Sequence, residues 1–487
     1  MPSPTYSQIT LRELLVAGTG LAVVLLSGAV ALADTTFVPF AEVEESITDN
    51  ARSTGSGEEA DLINTLSSGF ALDTETKRAD ISIDYEISRD IYTDNSDLNG
   101  NRHKLNSDAA FELVEDWVTL NGRAAISEEQ INQTGSSTAT ERTTSQDTAR
   151  IFNYGVGPTV AHDIGRWAST ELSYEYGVVD SKKTDTSANT TVPQKTTIHD
   201  FAWAMDSGPK FSKLTWGLNA SFQDVDKEGS ESAAGTTYHE TNYEGETAYN
   251  FTNTVAGTLR IGHDNNTDPT TTDDYDGVYG FIGTKLTFVD KLEATVEVGE
   301  RFGGTLVEAE VKYTPSSRTS VEFSLGTDVQ SEQERIASAT TTDADGNLVD
   351  VNSSDSEFTE LTTKTQTMGL TFNHSRNDRT DFELGLEVQS REFSQDNTED
   401  STGTLSASVS HLMTRQMTAV VSASYTDTLE TRTANSDEAS LLLSGSLSYN
   451  HSDTLTSSVG YSFLDRREDG AETVQENVLM MTLRKSF

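Results

Sequence analysis

From about residue 78 to the last residue, the chain repeats segments of roughly ten residues in which apolar and polar side chains alternate. In one such segment Ile81, Ile83, Tyr85 and Ile87 alternate with polar residues. A period of two is the side-chain period of a β-strand whose two faces meet different surroundings. The pattern therefore predicts amphipathic strands along almost the whole chain.

The same alternation recurs too often to be chance. Further apolar sets of period two lie in the segments 292–298, 307–313, 321–325, 382–388, 441–449 and 455–463. Counting from Phe37 gives about 22 strands, within a range of 18 to 24. The segment 34–76 and the short link Arg301–Thr305 have the weakest pattern.

The links between these segments are alternately short and long. The short ones often contain a basic residue and lie at 115–117, 164–166, 211–213, 289–291, 315–318, 377–379, 414–416 and 450–453. The long ones are rich in Thr, Ser, Asn, Asp and Gly and lie at 133–147, 180–196, 224–236, 265–274, 331–356, 396–401 and 430–436. Alternating links of this kind indicate strands that cross one layer and return, with short periplasmic turns and long extracellular loops.

We therefore predict an all-β fold: a transmembrane, antiparallel, up-and-down β-barrel. A bilayer tolerates only structures that satisfy every backbone polar group internally, and a closed barrel does so. Aromatic residues near strand ends predict the two interfacial girdles: Tyr85, Tyr92, Tyr174, Tyr176, Tyr313, Tyr425, Tyr449, Tyr461 and Phe463. The alternative is a soluble β-sandwich, which would need two buried faces and shorter, less regular loops.

The N-terminus predicts export. Arg12 precedes a largely apolar run, Leu14–Val30, and Ala31-Leu32-Ala33 has the form of a cleavage site. We therefore expect a signal peptide at 1–33 and a barrel at 34–487. A single membrane anchor is the alternative, but glycines and polar residues interrupt the run.

Composition excludes several classes of protein. The chain has 78 acidic against 34 basic residues, a formal net charge of −44 and no cysteine. Such a charge repels phosphates and argues against a nucleic-acid partner, and the lack of cysteine removes disulfides and thiolate metal sites. The low apolar fraction would suit a disordered chain, but the apolar residues are placed too regularly for that.

Two features carry a family resemblance: the start Phe37-Val38-Pro39-Phe40 with Ile47-Thr48-Asp49-Asn50, and the strand pattern that continues to Phe487. Together they resemble the outer-membrane β-barrel porin family associated with bacterial exopolysaccharide and exosortase (PEP-CTERM-type) systems. The resemblance implies a barrel in the bacterial outer membrane, with exopolysaccharide export proteins as possible partners and no assigned catalytic residues.

The inward face of the predicted barrel is acidic. The strand register points a set of carboxylates into the lumen as pore-lining candidates: Asp84, Glu86, Glu171, Glu175, Glu293, Glu297, Glu308, Glu310, Glu322, Asp328, Asp381, Glu383 and Glu387. A water-filled pore lined by carboxylates favours cations and disfavours anions. The alternative is that the acidity is only the general surface charge of a protein adapted to salt, since the loops are equally acidic.

The last strand resembles the signal that the barrel-assembly machinery reads. Leu479, Met481, Leu483 and Phe487 share one face and end on an aromatic residue, although Lys485 departs from the pattern. We therefore expect the assembly machinery as a partner, together with outer-membrane lipid and lipopolysaccharide.

Neither a metal site nor an enzyme site is predicted. Asp264–Asp276 and Asp343–Asp350 could supply oxygen ligands for Ca²⁺, but the second lacks the closing glutamate of an EF-hand and reads more simply as a hairpin tip. The eight histidines are scattered, and neither G-x-S-x-G nor H-E-x-x-H occurs. We expect no cofactor and no catalysis.

The sequence thus favours a porin-like passive channel for cations or neutral solutes. One alternative is an outer-membrane component of exopolysaccharide export, and another is a structural or adhesive surface barrel with a closed lumen. No long non-alternating stretch separates the signal from the first strand, which argues against the plug domain of a TonB-type transporter.

Overall fold

The computed structural model describes residues 35–130, 138–140, 142, 148–183, 195–229, 235–269, 271, 275–288, 291–338, 362–393, 398–431 and 437–487. The predicted signal peptide at 1–33 and the candidate loop Asp343–Asp350 lie outside the described residues.

Period-two segments become long strands. They are β1 Thr35–Thr48, β2 Asp61–Glu75, β3 Ala79–Tyr92, β4 Gly100–Val114, β5 Val118–Gln130, β6 Thr148–Ile164, β7 Ala168–Lys183, β8 Thr196–Ser207, β9 Leu214–Lys227, β10 Thr236–Asn250, β11 Val255–Asn266, β12 Gly277–Phe288, β13 Leu292–Arg301, β14 Gly304–Ser316, β15 Thr319–Ser331, β16 Thr362–Asn377, β17 Thr380–Phe393, β18 Thr398–Thr414, β19 Met417–Glu430, β20 Glu438–Ser452, β21 Leu455–Glu468 and β22 Val474–Ser486. A single α-helix among the described residues, α1 (Glu332–Ser338), follows β15.

The strands form one closed sheet. Each strand pairs antiparallel with its neighbours in sequence, and β1 pairs with β22, so that Phe40 faces Ser486 and Thr48 faces Val478. The 22-strand antiparallel up-and-down barrel predicted from the alternation is therefore confirmed. Closure leaves no unpaired sheet edge, as a membrane-spanning sheet requires.

The two faces of the sheet differ as the alternation predicts. On β12, Val278 and Ile282 are 78% and 65% exposed, whereas Tyr279 and Phe281 between them are 3% and 1% exposed. Large apolar side chains lie exposed on the same outward parity around the barrel. An apolar belt on the outside of a closed β-barrel is the architecture of a bacterial outer-membrane protein, and this is where the chain resides.

The two ends of the barrel differ in the length of the connections between strands. At the short-turn end, which is periplasmic in outer-membrane barrels, most connections are tight; at the loop end, most are long. One connection departs from the rule, because β13 and β14 join at the loop end through Phe302 and Gly303 alone. Both residues have positive φ, 53° and 73°. A two-residue turn with positive φ at both positions suits the twist of a hairpin.

The predicted aromatic girdles need one correction. Tyr92 is 4% exposed and lies on the inward parity of β3, where its hydroxyl donates to the backbone carbonyl of Arg142. Tyr92 is therefore an interior residue and not part of a girdle, and Arg142 of the β5–β6 link accepts its hydrogen bond there.

No helix among the described residues is long and apolar enough to cross a membrane.

Candidate functional site: the lumen

The predicted pore-lining carboxylates occupy the strand positions opposite in parity to the exposed apolar residues. Glu293 and Glu297 alternate on β13 with Val296 and Val298, and these two valines are exposed on the outer face. The same holds for the candidates on β3, β7, β14, β15 and β17. Their role in conduction stays a prediction, but their surroundings divide them into distinct groups.

One group belongs to an ion-pair network on β10–β14. The Arg260 guanidinium lies 3.1 Å from Glu297 Oε2 and 3.6 Å from Glu244 Oε2, and it also contacts Glu308. It stacks over the Phe281 ring, 4.4 Å from the ring centroid. The partly buried guanidinium offsets part of the repulsion among the three carboxylates, so this part of the wall is less negative than its carboxylates alone indicate.

A second arginine extends this network towards the loop end. Arg301 makes a bidentate pair with Asp264, at 2.7 Å and 3.0 Å, and covers the Tyr279 ring. The Tyr279 hydroxyl donates to Glu244 Oε2 at 2.7 Å. Planar guanidinium forks suit such bidentate contacts. Asp264 is therefore engaged in an ion pair and not aimed at a cation site.

Helix α1 lies inside the barrel at the loop end. Ile336 is fully buried in a cluster to which five consecutive strands contribute, through Ala149, Ile151, Val179, Ile198, Val225 and Tyr238. Asn153 donates its side-chain amide to the Ile336 carbonyl. Since β15 and β6–β10 are not neighbours in the sheet, the chain leaves β15, enters the lumen and covers part of the wall formed by β6–β10.

The start of α1 has a recognisable sequence signal that our reading of the sequence missed. Ser331-Glu332-Gln333-Glu334 fits the capping-box pattern, and the Ser331 backbone N–H donates to Glu334 Oε2 at 2.6 Å. Gln223 of β9 donates to Glu334 Oε1 at 3.2 Å. Burial raises the pKa of the Glu334 carboxyl above its ordinary value.

Part of the β5–β6 link also lies inside the barrel, on the other side of the loop end. Ala139 packs against Leu464 and Val478, both almost fully buried. Arg142 Nε lies 3.0 Å from Glu44 Oε1, and the same guanidinium approaches Asp90. Helix α1, packed against β6–β10, and residues 138–140 and 142, packed against β21, β22, β1 and β3, therefore narrow the lumen near its loop end.

The wall formed by β16–β18 is different. On β16 and β18 the inward positions are mostly Ser and Thr. The register sets Glu383 of β17 between Asn373 and Ser408, and Glu387 between Gly369 and Thr404. Ser375 donates to Asp381 at 2.6 Å. Within the described part of the chain, neither Glu383 nor Glu387 forms an ion pair. This hydroxyl-rich wall therefore keeps its negative charge facing water.

Other candidates are compensated individually. Arg123 pairs with Glu175 at 2.5 Å, and Lys312 pairs with Glu322 at 2.7 Å. Glu293 lies 3.6 Å from Lys285 Nζ. The remaining candidates, Asp84, Glu86, Glu171, Glu310 and Asp328, lie on the inward parity outside both of the groups just described. No group of three or more metal-ligating side chains able to hold an ion occurs among the described residues.

The predicted assembly signal lies on the outer face of β22. Leu479, Met481 and Leu483 are exposed on the apolar belt, and Phe487 is 71% exposed just beyond the strand. The Phe487 backbone N–H donates to the Pro39 carbonyl at 2.9 Å, so the terminal residue continues the seam with β1. Recognition by the assembly machinery stays a prediction.

No protein-family model matches the chain, and no curated protein matches it. Solved structures match it over almost all of its length. The ferric citrate transporter FecA in its unliganded form has a TM-score of 0.54 at 9% identity, covering 93% of this chain and 78% of that one. The siderophore receptor PirA from Acinetobacter baumannii has a TM-score of 0.53 at 9% identity, covering 93% and 80%.

A third structure, a point mutant of the ferric enterobactin receptor PfeA from Pseudomonas aeruginosa in complex with enterobactin, has a TM-score of 0.51 at 9% identity, covering 92% and 81%. At this identity the likeness shows the fold: a large outer-membrane β-barrel. It gives no support to the resemblance to exopolysaccharide-associated porins, whose finer assignment stays a prediction.

Proposed function

We propose that this barrel is a porin-like passive channel that admits small cations and neutral solutes. The observation that supports this most directly is the hydroxyl-rich wall of β16–β18, in which Glu383 and Glu387 keep uncompensated charge. Carboxylates in a water-filled passage raise the local concentration of cations and lower that of anions.

The narrowed loop end favours small solutes. Helix α1 and residues 138–140 and 142 occupy lumen space against two different parts of the wall, which leaves less width for a polymer than an empty barrel would. Arg260 and Arg301 do not offer an anion site, because both are already paired with carboxylates. These features favour small-solute passage over polysaccharide export and over uptake of anionic iron chelates such as ferric citrate.

The test is the ion selectivity of the purified barrel in planar bilayers under a salt gradient. We expect a cation-selective reversal potential that is largest at low ionic strength, because salt screens exposed charge. Glu383→Gln/Glu387→Gln should move the reversal potential towards zero. Glu45→Gln is the matched control, since Glu45 lies exposed on the outward parity of β1.

Two outcomes would contradict the proposal. An anion-selective channel would show that the acidic wall does not determine which ions pass. A correctly folded barrel without conductance would instead support a structural or adhesive surface protein.

A further inference from the structure

The eight histidines occupy regular positions on the barrel that are not evident from the sequence. All eight lie on the outward parity of their strands, beside exposed apolar residues such as Ile87, Phe201 and Leu405. His103, His199 and His239 lie three positions after the first residue of β4, β8 and β10, and His263 lies three before the last residue of β11. The other four, His162, His374, His411 and His451, lie near the strand ends at the short-turn end. The apolar belt is therefore bordered by imidazoles at both rims.

At the short-turn end, two of these imidazoles are held by the same contact. Thr319 Oγ1 lies 3.0 Å from His374 Nδ1, and Thr380 Oγ1 lies 2.9 Å from His411 Nδ1. Each pair joins residues directly opposite each other on adjacent strands. His374 also stacks between the rings of Phe372 and Phe382, at 6.3 Å and 6.4 Å.

The contact to Nδ1 can be made by either tautomer of the imidazole, and the tautomer decides which partner donates. Beside hydrocarbon, a threonine hydroxyl that donates to Nδ1 gives its proton an acceptor. An imidazole that accepts at Nδ1 carries its proton on Nε2. In that tautomer each pair offers an Nε2–H donor at the edge of the apolar belt.

Arginines lie next to these pairs in the adjoining short turns. Arg318 precedes Thr319, Arg376 follows His374 by two residues, and Arg379 precedes Thr380; all three are exposed. Arg415 occupies the next short turn. Asp378 is 95% exposed and lies 3.4 Å from one Arg318 nitrogen, so it compensates one of these charges. In a chain of net charge −44 this rim is locally cationic.

We propose that this rim, formed by Thr319–His374, Thr380–His411 and the adjoining arginines, binds the phosphate groups of phospholipids in the leaflet at the short-turn end. Imidazole N–H groups and guanidinium forks are complementary to phosphate oxygens, and the rim lies where headgroups meet the apolar belt. Bound lipid would set the height of the barrel in the membrane, independently of whether the lumen conducts.

The test counts lipids on the barrel purified in a maltoside, a detergent without phosphate. Native mass spectrometry would follow the binding of phosphatidylglycerol, with diacylglycerol as the phosphate-free probe. We expect phosphatidylglycerol alone to bind. Arg318→Gln/Arg376→Gln/Arg379→Gln should weaken it about tenfold or more, and His374→Phe/His411→Phe several-fold, because charge-assisted hydrogen bonds to phosphate are the stronger of the two kinds.

Thr319→Val/Thr380→Val tests the positioning of the imidazoles, because it keeps both histidines but removes the contact to Nδ1. We expect it to weaken lipid binding in the same direction as the histidine variant. Lys77→Gln/Arg78→Gln, in a short turn away from this rim, is the matched control and should bind as the unchanged barrel does. Equal binding by the arginine variant, or equal binding of diacylglycerol, would overturn the proposal. Far-ultraviolet circular dichroism of each variant establishes that the barrel is folded before lipids are counted.

Discussion

Replacing Arg260 tests how the lumen network stabilises the barrel. In Arg260→Met the side chain keeps most of its length but loses its charge, and Glu244, Glu297 and Glu308 lose their common partner. These carboxylates are 15%, 13% and 22% exposed, so water reaches each of them only in part. Three mutually repelling anions are left in one small region of wall.

The expected loss follows from these exposures. Breaking a buried ion pair costs about 3–5 kcal/mol, whereas an exposed pair is worth about 1 kcal/mol or less. For this partly exposed site we expect a loss of about 3 kcal/mol, to which the lost contact with the Phe281 ring contributes about 0.5–1 kcal/mol. The folding equilibrium constant should therefore fall about a hundredfold.

Urea unfolding of the barrel in lipid vesicles measures this loss. Lys312→Gln is the matched control, since Lys312 and Glu322 are 60% and 47% exposed, and it should destabilise the barrel much less than Arg260→Met. Arg260→Met/Glu308→Gln should recover part of the loss, because it removes one of the three unpaired charges. If Arg260→Met costs no more than the control, or if the second change destabilises further, the network does not stabilise the barrel as we have argued.

Three further predictions concern the inserted helix and the wall. Ile336→Asp should release α1 from its apolar cluster, with a loss of about 3 kcal/mol or more in docking free energy, and raise single-channel conductance; an unchanged conductance would show that α1 does not narrow the passage. Burial raises the pKa of Glu334, so the docked helix is most stable below the ordinary glutamate pKa and weakens as pH rises through the raised value; conductance should rise with pH, and Glu334→Gln should reduce that rise, since the nearby Glu240 remains. Gly262→Ala should cost about 1–3 kcal/mol in urea unfolding, because a Cβ there would meet the Tyr279 ring and hydroxyl, whereas Gly326→Ala, with open space around it, should cost much less.

The barrel fold could be predicted from the sequence because the alternation of apolar and polar residues is a local property of each strand. Ile81–Ile87 and Leu292–Val298 show their two faces without knowledge of any partner strand, and the strand number followed from counting such segments. The weakly patterned Arg301–Thr305 is also a genuine hairpin, whose turn tolerates Phe302 at positive φ because its ring packs with Tyr279 and Leu306.

What the lumen contains could not be predicted in the same way. The alternation places Glu297 and Glu383 on the same face of their strands, but only the three-dimensional structure shows that one pairs with Arg260 and the other has no ion pair among the described residues. Insertion of α1 depends on its contacts with β6–β10, which are remote in sequence from the helix. The capping box at Ser331 could have revealed the helix, but not where it packs.

The contrast between the two sides of the lumen bears on how the barrel could be engineered as a nanopore. Side chains on β10–β14 hold one another through Arg260 and Arg301, so altering any of them disturbs several strands at once. On β16–β18 the small hydroxyl residues have few such ties, and reporter groups or new charges could be installed there without weakening the scaffold. A sensor built on this protein would therefore be tuned from one side only.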